Sequence, residues 1–246
     1  MIMTFSKIFK ECVKKTVRSA GFNITKYTPG SSETEKLNTA LKYFGIELLI
    51  DVGANTGQYA ESVRQAGYKK KIVSFEPLVD AYKQLLINSA NDKMWFVHER
   101  TAIGNQNGEI EINVSGNSQS SSILPMLATH SDAAPNSKYF KTEKTKIIKL
   151  DSVFSDYRLN SEVTFLKIDT QGYEREVLEG AKETLEKVKA IQIELSLVPL
   201  YAGQPLWDAI LLDLAKKGFQ VWSILPGFSD PHIGRSLQID AVLYKA

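Results

Sequence analysis

The stretch that decides the fold is Leu48-Leu-Ile-Asp-Val-Gly-Ala-Asn-Thr-Gly-Gln-Tyr59. Its opening five residues are apolar except for Asp51, the composition of a short strand buried on both faces of a parallel sheet. From Gln58 to Ala66 the pattern becomes helical. Between strand and helix lies a turn with glycine at 53 and 57, where no Cβ keeps a ligand from the backbone. Open α/β sheets bind their ligands at turns of this kind, at the carboxyl ends of strands.

The same alternation continues outward. Lys71-Ile-Val-Ser-Phe-Glu76 reads as the second strand, and Pro77 begins a helix through Asn88, proline being tolerated in a first helical turn. Trp95-Phe-Val97 opens a third strand region that reaches Ala102-Ile103. Asn107-Gly108 has the composition of a two-residue hairpin turn, and Glu109-Ile-Glu-Ile-Asn-Val114 alternates after it. Thr145-Lys-Ile-Ile-Lys-Leu150 and Val163-Thr-Phe-Leu-Lys-Ile168 are strands, 173–188 is a helix, and Ala190-Ile-Gln-Ile-Glu-Leu195 is another strand. A helix over about 206–217 and a closing antiparallel pair, 219–225 and 236–244, complete the chain. Repeated strand–helix units predict a doubly wound, mostly parallel, Rossmann-like α/β sheet. Residues 115–142 break this rhythm with serine, asparagine and glycine around apolar islands at Ile123-Leu124 and Met126-Leu127. A loop this long inside a compact domain is commonly functional, and its apolar islands predict a lid.

With 246 residues, 43% hydrophobic and 24% charged, the chain fits one soluble α/β domain plus short additions. Thirty basic against 28 acidic residues is not the strongly basic balance of a nucleic-acid binder. The single cysteine, Cys12, rules out an internal disulfide. No apolar run approaches the roughly 20 residues of a membrane span, and the start lacks the pattern of a secretory signal, so a cytoplasmic protein is expected. Near the N-terminus, Ile2, Phe5, Ile8, Phe9, Cys12, Val13 and Val17 recur at helical spacing, while Lys7, Lys10, Lys14, Lys15 and Arg18 fill much of the remainder. Such a helix most commonly packs its apolar face on its own domain. Its basic face also suits peripheral contact with an anionic membrane. Thr28-Pro-Gly-Ser-Ser32 is a linker by composition, which assigns 1–36 to the N-terminal helix and linker and 37–246 to the main domain.

The turn after the first strand departs from a dinucleotide site. That site needs G-x-G-x-x-G, with a pyrophosphate on the helix N-terminus. Here Asn55 stands where the second glycine would, and the third is missing. Asp51 just before the turn suits a ligand bearing an ammonium group rather than a pyrophosphate, and S-adenosylmethionine has the one and lacks the other. Glu76 ends the second strand, where an acid accepts ribose hydroxyls or caps the following helix.

Taken in order, Asp51-Val-Gly-Ala-Asn-Thr-Gly57, Phe75-Glu-Pro77, Ala102-Ile-Gly104, Lys167-Ile-Asp-Thr-Gln-Gly-Tyr-Glu174 and Val177-Leu-Glu-Gly-Ala181 resemble the FkbM family of methyltransferases. The resemblance spans about 48–244. It implies a Rossmann-like methyltransferase fold with S-adenosylmethionine as cofactor, and methyl transfer mostly to oxygen on polyketides, sugars or other natural products. It implies that Asp51, Gly53, Ala54, Asn55 and Gly57 cradle the methionine part, Glu76 and Pro77 the ribose, and Thr101 and Ala102 the adenine. Asp169 is then expected to face the methyl-transfer site. The family usually has glutamate where this chain has Gln171.

Asp169 and Glu194 end neighbouring strands, which brings two carboxylates to one sheet edge. They are candidates for a base or substrate-orienting pair, or, with waters, for holding a hard cation such as Mg²⁺. His130 in the expected lid and His232 in the last hairpin loop have the pKa range of a general base and are candidates to reach the acceptor. His98 reads as structural. No zinc-site spacing and no G-x-S-x-G elbow is present. The expected reaction is methyl transfer to a hydroxyl of a glycan or other small molecule, with no nucleic-acid partner. Two alternatives stay open: a nucleotide-cofactor oxidoreductase on the same fold, and a catalytically silent scaffold in glycan or natural-product assembly.

Overall fold

The computed structural model describes the chain apart from residues 1–4, 23, 25–31 and 160, and apart from the side chains of 5–8 and 33. Ile2 and the linker residues 28–31 therefore lie outside the described residues. Helices α1 (Phe5–Ser19) and α2 (Glu33–Tyr43) precede β1 (Leu48–Val52), α3 (Gln58–Gln65), β2 (Lys71–Phe75), α4 (Val79–Ser89) and β3 (Trp95–Val97). Next come β4 (Thr101–Ile103), β5 (Gly108–Ser115), α5 (Ala128–Ala133), β6 (Tyr139–Ile148) and α6 (Phe154–Tyr157). The chain closes with β7 (Thr164–Ile168), α7 (Glu174–Glu179), α8 (Lys182–Lys187), β8 (Val188–Ser196), α9 (Trp207–Lys216), β9 (Phe219–Pro226) and β10 (Gln238–Lys245).

Seven strands form the main sheet in the order β3-β2-β1-β7-β8-β10-β9. The first five run parallel, and β10 and β9 are antiparallel, as the closing pair predicted. Successive residues of a strand point to opposite faces, and both faces are covered. Ile50, Leu166, Ile168, Ile191 and Ile193 pack with Val177, Leu185, Ile210 and Leu214 of α7, α8 and α9. Leu49, Ile72, Phe165 and Ala190 pack with Leu37 and Leu41 of α2 and Ala60 and Val63 of α3. Strand order reverses between β1 and β7, and a sheet opens into a ligand crevice at such a switch point.

Five expectations change. The third strand region is two strands in different sheets: β3 pairs with β2, while β4 leaves to join β6 and β5 in a separate three-stranded sheet of order β4-β6-β5. Asn107-Gly108 accordingly is not a hairpin turn, because β6 lies between the two strands it links. The helix expected over 173–188 is split at Gly180, whose Cβ position lies 1.8 Å from the Gly104 carbonyl oxygen. α2 begins at Glu33 with Ser32 as its cap, so the packed domain starts within the stretch assigned to the linker. The insertion is also shorter than 115–142, since β5 runs to Ser115 and β6 begins at Tyr139.

The Gly180 contact joins the small sheet to the helical layer. Gly180→Ala should lower stability by about 1–3 kcal/mol, a fall of several degrees in Tm. Thermal unfolding of the variant at the parent's Tm would mean that the Gly104 backbone moves away without cost.

Candidate active site

A cleft of about 660 Å³ opens at the carboxyl ends of β1, β2, β7 and β8, a size that suits a bound small molecule. The β1–α3 turn forms its back wall, and Gly53 shows why glycine is required there. At φ +82° its Cβ position lies 1.8 Å from the Asp169 carbonyl oxygen, so the β1 and β7 turns touch backbone to backbone. Gly57 serves another purpose: its Cβ position lies 2.6 Å from the Trp95 ring. Both glycines make room for protein rather than for a ligand. Gly57 is not on the cleft wall.

Glu76 is buried at the end of β2 and lines the cleft. Its Oε2 accepts the Asn55 backbone N–H at 2.7 Å and its Oε1 that of Leu78 at 2.8 Å. It thus holds the residue before α4 and fixes the β1–α3 turn, where Asn55 adopts φ 48°, while Glu143 accepts the first helical N–H, that of Val79. Thr101 and Ala102 of β4 line the far end with Leu78, Ile103 and Ile112, an apolar recess. The Thr101 Oγ1 there has no hydrogen-bond partner among the described residues.

The opposite end is polar. Register places Ser74, Asp51, Lys167 and Gln192 side by side across β2, β1, β7 and β8. Lys167 is buried, and its Nζ donates to Asp169 Oδ2 at 2.7 Å. Burial pushes its pKa down, but Asp169, Asp240 and Asp51 outweigh this and leave it above the ordinary lysine value. Gln192 donates to Asp240 and accepts from the Tyr59 hydroxyl. The Gln171 Nε2 donates both to Asp169 Oδ1 at 2.9 Å and to Glu194 Oε2 at 2.7 Å, so one amide ties the two carboxylates together. Its Oε1 accepts from Tyr201, and its backbone carbonyl accepts from Ser122 of the insertion. Glu194 also accepts from Gln238. Burial, then Asp169 and Asp240, hold the Glu194 carboxyl well above the usual range.

The structure therefore gathers Gly53, Ala54, Asn55, Glu76, Pro77, Thr101, Ala102, Asp169 and Glu194 around one cleft. Asp51 lies beneath it, wholly buried, with its Oδ2 bonded to Ser74 and its Oδ1 without a partner among the described residues. His130 and His232 are not on the wall. The His130 ring is buried against Tyr201 and Phe228, and its pKa is pushed down to about 4 by burial, so it is a core residue rather than a base. His232 is exposed in the β9–β10 loop. His98 packs on Phe75 and bonds to Tyr157. Among the described residues no group of three or more His, Cys, Asp or Glu is arranged to hold a metal ion. Lys167, Gln192 and Asp240 were not anticipated. Their signal is a polar side chain inside an otherwise apolar strand, which is costly without a partner.

The sequence pattern of the methyltransferase FkbM domain matches residues 51–221. The chain belongs to the FkbM methyltransferase family. This methyltransferase is 28% identical over 171 residues to the 2-O-methyltransferase NoeI of Sinorhizobium fredii, a match covering 67% of this chain and 69% of the relative. Among solved structures it is similar to an rRNA methylase from Streptococcus thermophilus, with TM-score 0.46 and 11% identity, covering 90% of this chain and 99% of that one. It is also similar to a protein of the NADB-Rossmann superfamily from Streptococcus agalactiae, with TM-score 0.44 and 12% identity, covering 87% and 68%.

The buried carboxyls of this methyltransferase bear on its response to pH. Burial raises Glu76 and Glu174 to about 7 and Asp51 to about 6. A raised folded-state pKa stabilises the fold at low pH and loses that effect as pH rises through about 7. Stability should therefore increase by about 1 kcal/mol between pH 8 and 6.5. Below that, neutral buried His130 opposes the trend without reversing it, because the unfolded histidine protonates near 6.5 and the folded one only near 4, while three carboxyls still take up protons on folding. Thermal unfolding across pH 5–8 tests this. A Tm that falls steadily from pH 8 to 6.5 would mean that the cleft carboxylates ionise at their ordinary values.

Proposed function

We propose that this methyltransferase takes its methyl group from S-adenosylmethionine and transfers it to a hydroxyl oxygen of a saccharide. One observation carries the reading: among the described residues the cleft walls hold four carboxylates, Glu76, Asp169, Glu194 and Asp240, against one ammonium, Lys167. A pyrophosphate would meet acceptor oxygens there and favour their protonated forms still further, whereas a ligand with sulfonium and ammonium groups would be drawn in and would favour the ionised carboxylates. The other end of the cleft fits the rest of that cofactor. The apolar recess beside Ala102 suits an adenine ring, with the unpartnered Thr101 hydroxyl as a hydrogen-bond partner. Each Glu76 oxygen accepts one backbone N–H and keeps a lone pair for a ribose hydroxyl.

Bound in this way, the cofactor supplies a methyl group on an excellent leaving group, so the chain's task is to align an acceptor oxygen and receive its proton. Asp169, held by Lys167 and Gln171, orients the acceptor. Glu194, with a raised proton affinity, takes the proton. Both of its hydrogen bonds fall on Oε2, which leaves Oε1 for the acceptor hydroxyl. The density of hydrogen-bonding side chains at this end (Gln171, Gln192, Tyr59, Asp240) favours a polyhydroxylated acceptor, and the relative named as a 2-O-methyltransferase supports transfer to oxygen.

Calorimetric titration with S-adenosylhomocysteine should show micromolar binding and none with NADH. Glu76→Ala should weaken it about tenfold or more. Glu194→Gln should leave that affinity within about threefold while cutting turnover on a saccharide acceptor by roughly 10²-fold or more and removing the acid limb of its pH profile. Failure of the folded protein to bind S-adenosylhomocysteine would overturn the cofactor assignment. Equal losses of affinity and turnover in Glu194→Gln would reduce Glu194 to a binding residue.

A further inference from the structure

Helix α1 has the apolar spacing of a core helix, yet most of the described residues of that stripe stay in solvent. The apolar stripe of α3 buries Ala60 and Val63, and that of α9 buries Ile210 and Leu214. In α1, Phe9 stands 64% exposed and Cys12 and Val13 are exposed beside it. Phe22 and Ile24, just beyond the helix, are exposed as well. Among the described residues of this face, Phe9, Cys12 and Val13 are therefore not packed on the domain, and Val17 is half-buried.

Charge narrows what covers the face. Five of the 30 basic residues and one of the 28 acidic ones fall within α1, so the helix carries net +4 while the remainder of the chain is acidic by two. A second copy presenting the same helix would repel it. A nucleic acid would satisfy the charge but offer Phe9 and Phe22 no apolar phase. A bilayer with anionic headgroups offers both. At 15 residues α1 is about 22 Å long, and no described helix is long and apolar enough to cross a membrane. We propose that α1 docks this methyltransferase on an anionic membrane, its axis in the plane of the surface. Phe9 and Val13 enter the headgroup–acyl boundary, and Lys10, Lys14 and Lys15 engage anionic headgroups. The inference does not rest on the cofactor or acceptor proposed above.

Co-sedimentation of the full chain with vesicles tests it. The protein should pellet with mixed phosphatidylcholine–phosphatidylglycerol vesicles and remain in solution with phosphatidylcholine alone, and high salt should release it. The triple variant Lys10→Glu, Lys14→Glu, Lys15→Glu and the double variant Phe9→Glu, Val13→Glu should each bind at least about tenfold more weakly. Both should keep the parent's Tm and its affinity for S-adenosylhomocysteine, whatever that is. In Phe9→Trp the new indole should shift its emission to the blue on adding anionic vesicles. Parent protein that stays in solution with anionic vesicles, or variants that pellet as well as the parent, would overturn the proposal. So would light scattering that shows a dimer broken by the Phe9→Glu, Val13→Glu change, which would assign the face to a second copy.

Discussion

The ammonium of Lys167, buried at the centre of the main sheet, is the interaction on which the site depends. A lysine removed from water loses its charge unless carboxylates surround it. Here Asp51 on β1, Asp169 on its own turn and Asp240 on β10 do so. Because these acids come from β1, from the turn after β7 and from β10, the charge balance ties those three elements to one point. Removing the lysine would leave several buried acids facing one another without a counter-charge, a larger penalty than the loss of one ion pair. The remaining acid excess is what sets the electrostatic character of the cleft.

Gln171 completes this arrangement from the other side. It adopts φ 55°, a conformation that a non-glycine residue holds only when its surroundings compensate. The compensation is visible: both ends of its amide are bonded, its carbonyl accepts from Ser122, and Tyr201 bonds on to the Ser120 carbonyl. The insertion is therefore fastened to the same residue that spaces Asp169 from Glu194. A neutral amide can bridge two carboxylates because it supplies N–H donors to both. A glutamate in its place would add a third negative charge.

Backbone contacts do comparable work where side chains are absent. Gly53 against Asp169 closes the switch point of the sheet, and Gly180 against Gly104 seats the small sheet on the helical layer. Neither contact tolerates a Cβ. Each pairs positions more than 70 residues apart in the chain, so the glycines are local in sequence while their reason is distant.

The apolar runs at Leu48, Lys71, Thr164 and Ala190, with the helices between them, were legible because a strand buried on both faces must be apolar whatever it packs against. The strand-to-helix turn at Gly53 and the acid at Glu76 were legible as positions for a similar reason, since both lie at a strand end, whereas what each touches there was not. Tertiary structure alone decided the rest. It sent β4 to a second sheet beside β6, because a three-residue strand has too little pattern to name its partner. It buried His130 among aromatic rings and left His232 in solvent, because a histidine's role follows from what surrounds it. It joined Lys167, Gln192 and Asp240, each unremarked in its own strand, into one floor, because residues on different strands meet only through register. The amphipathic period of α1 was plain in the sequence. That Phe9, Cys12 and Val13 of its apolar face stay exposed is a property of packing, which no periodicity records.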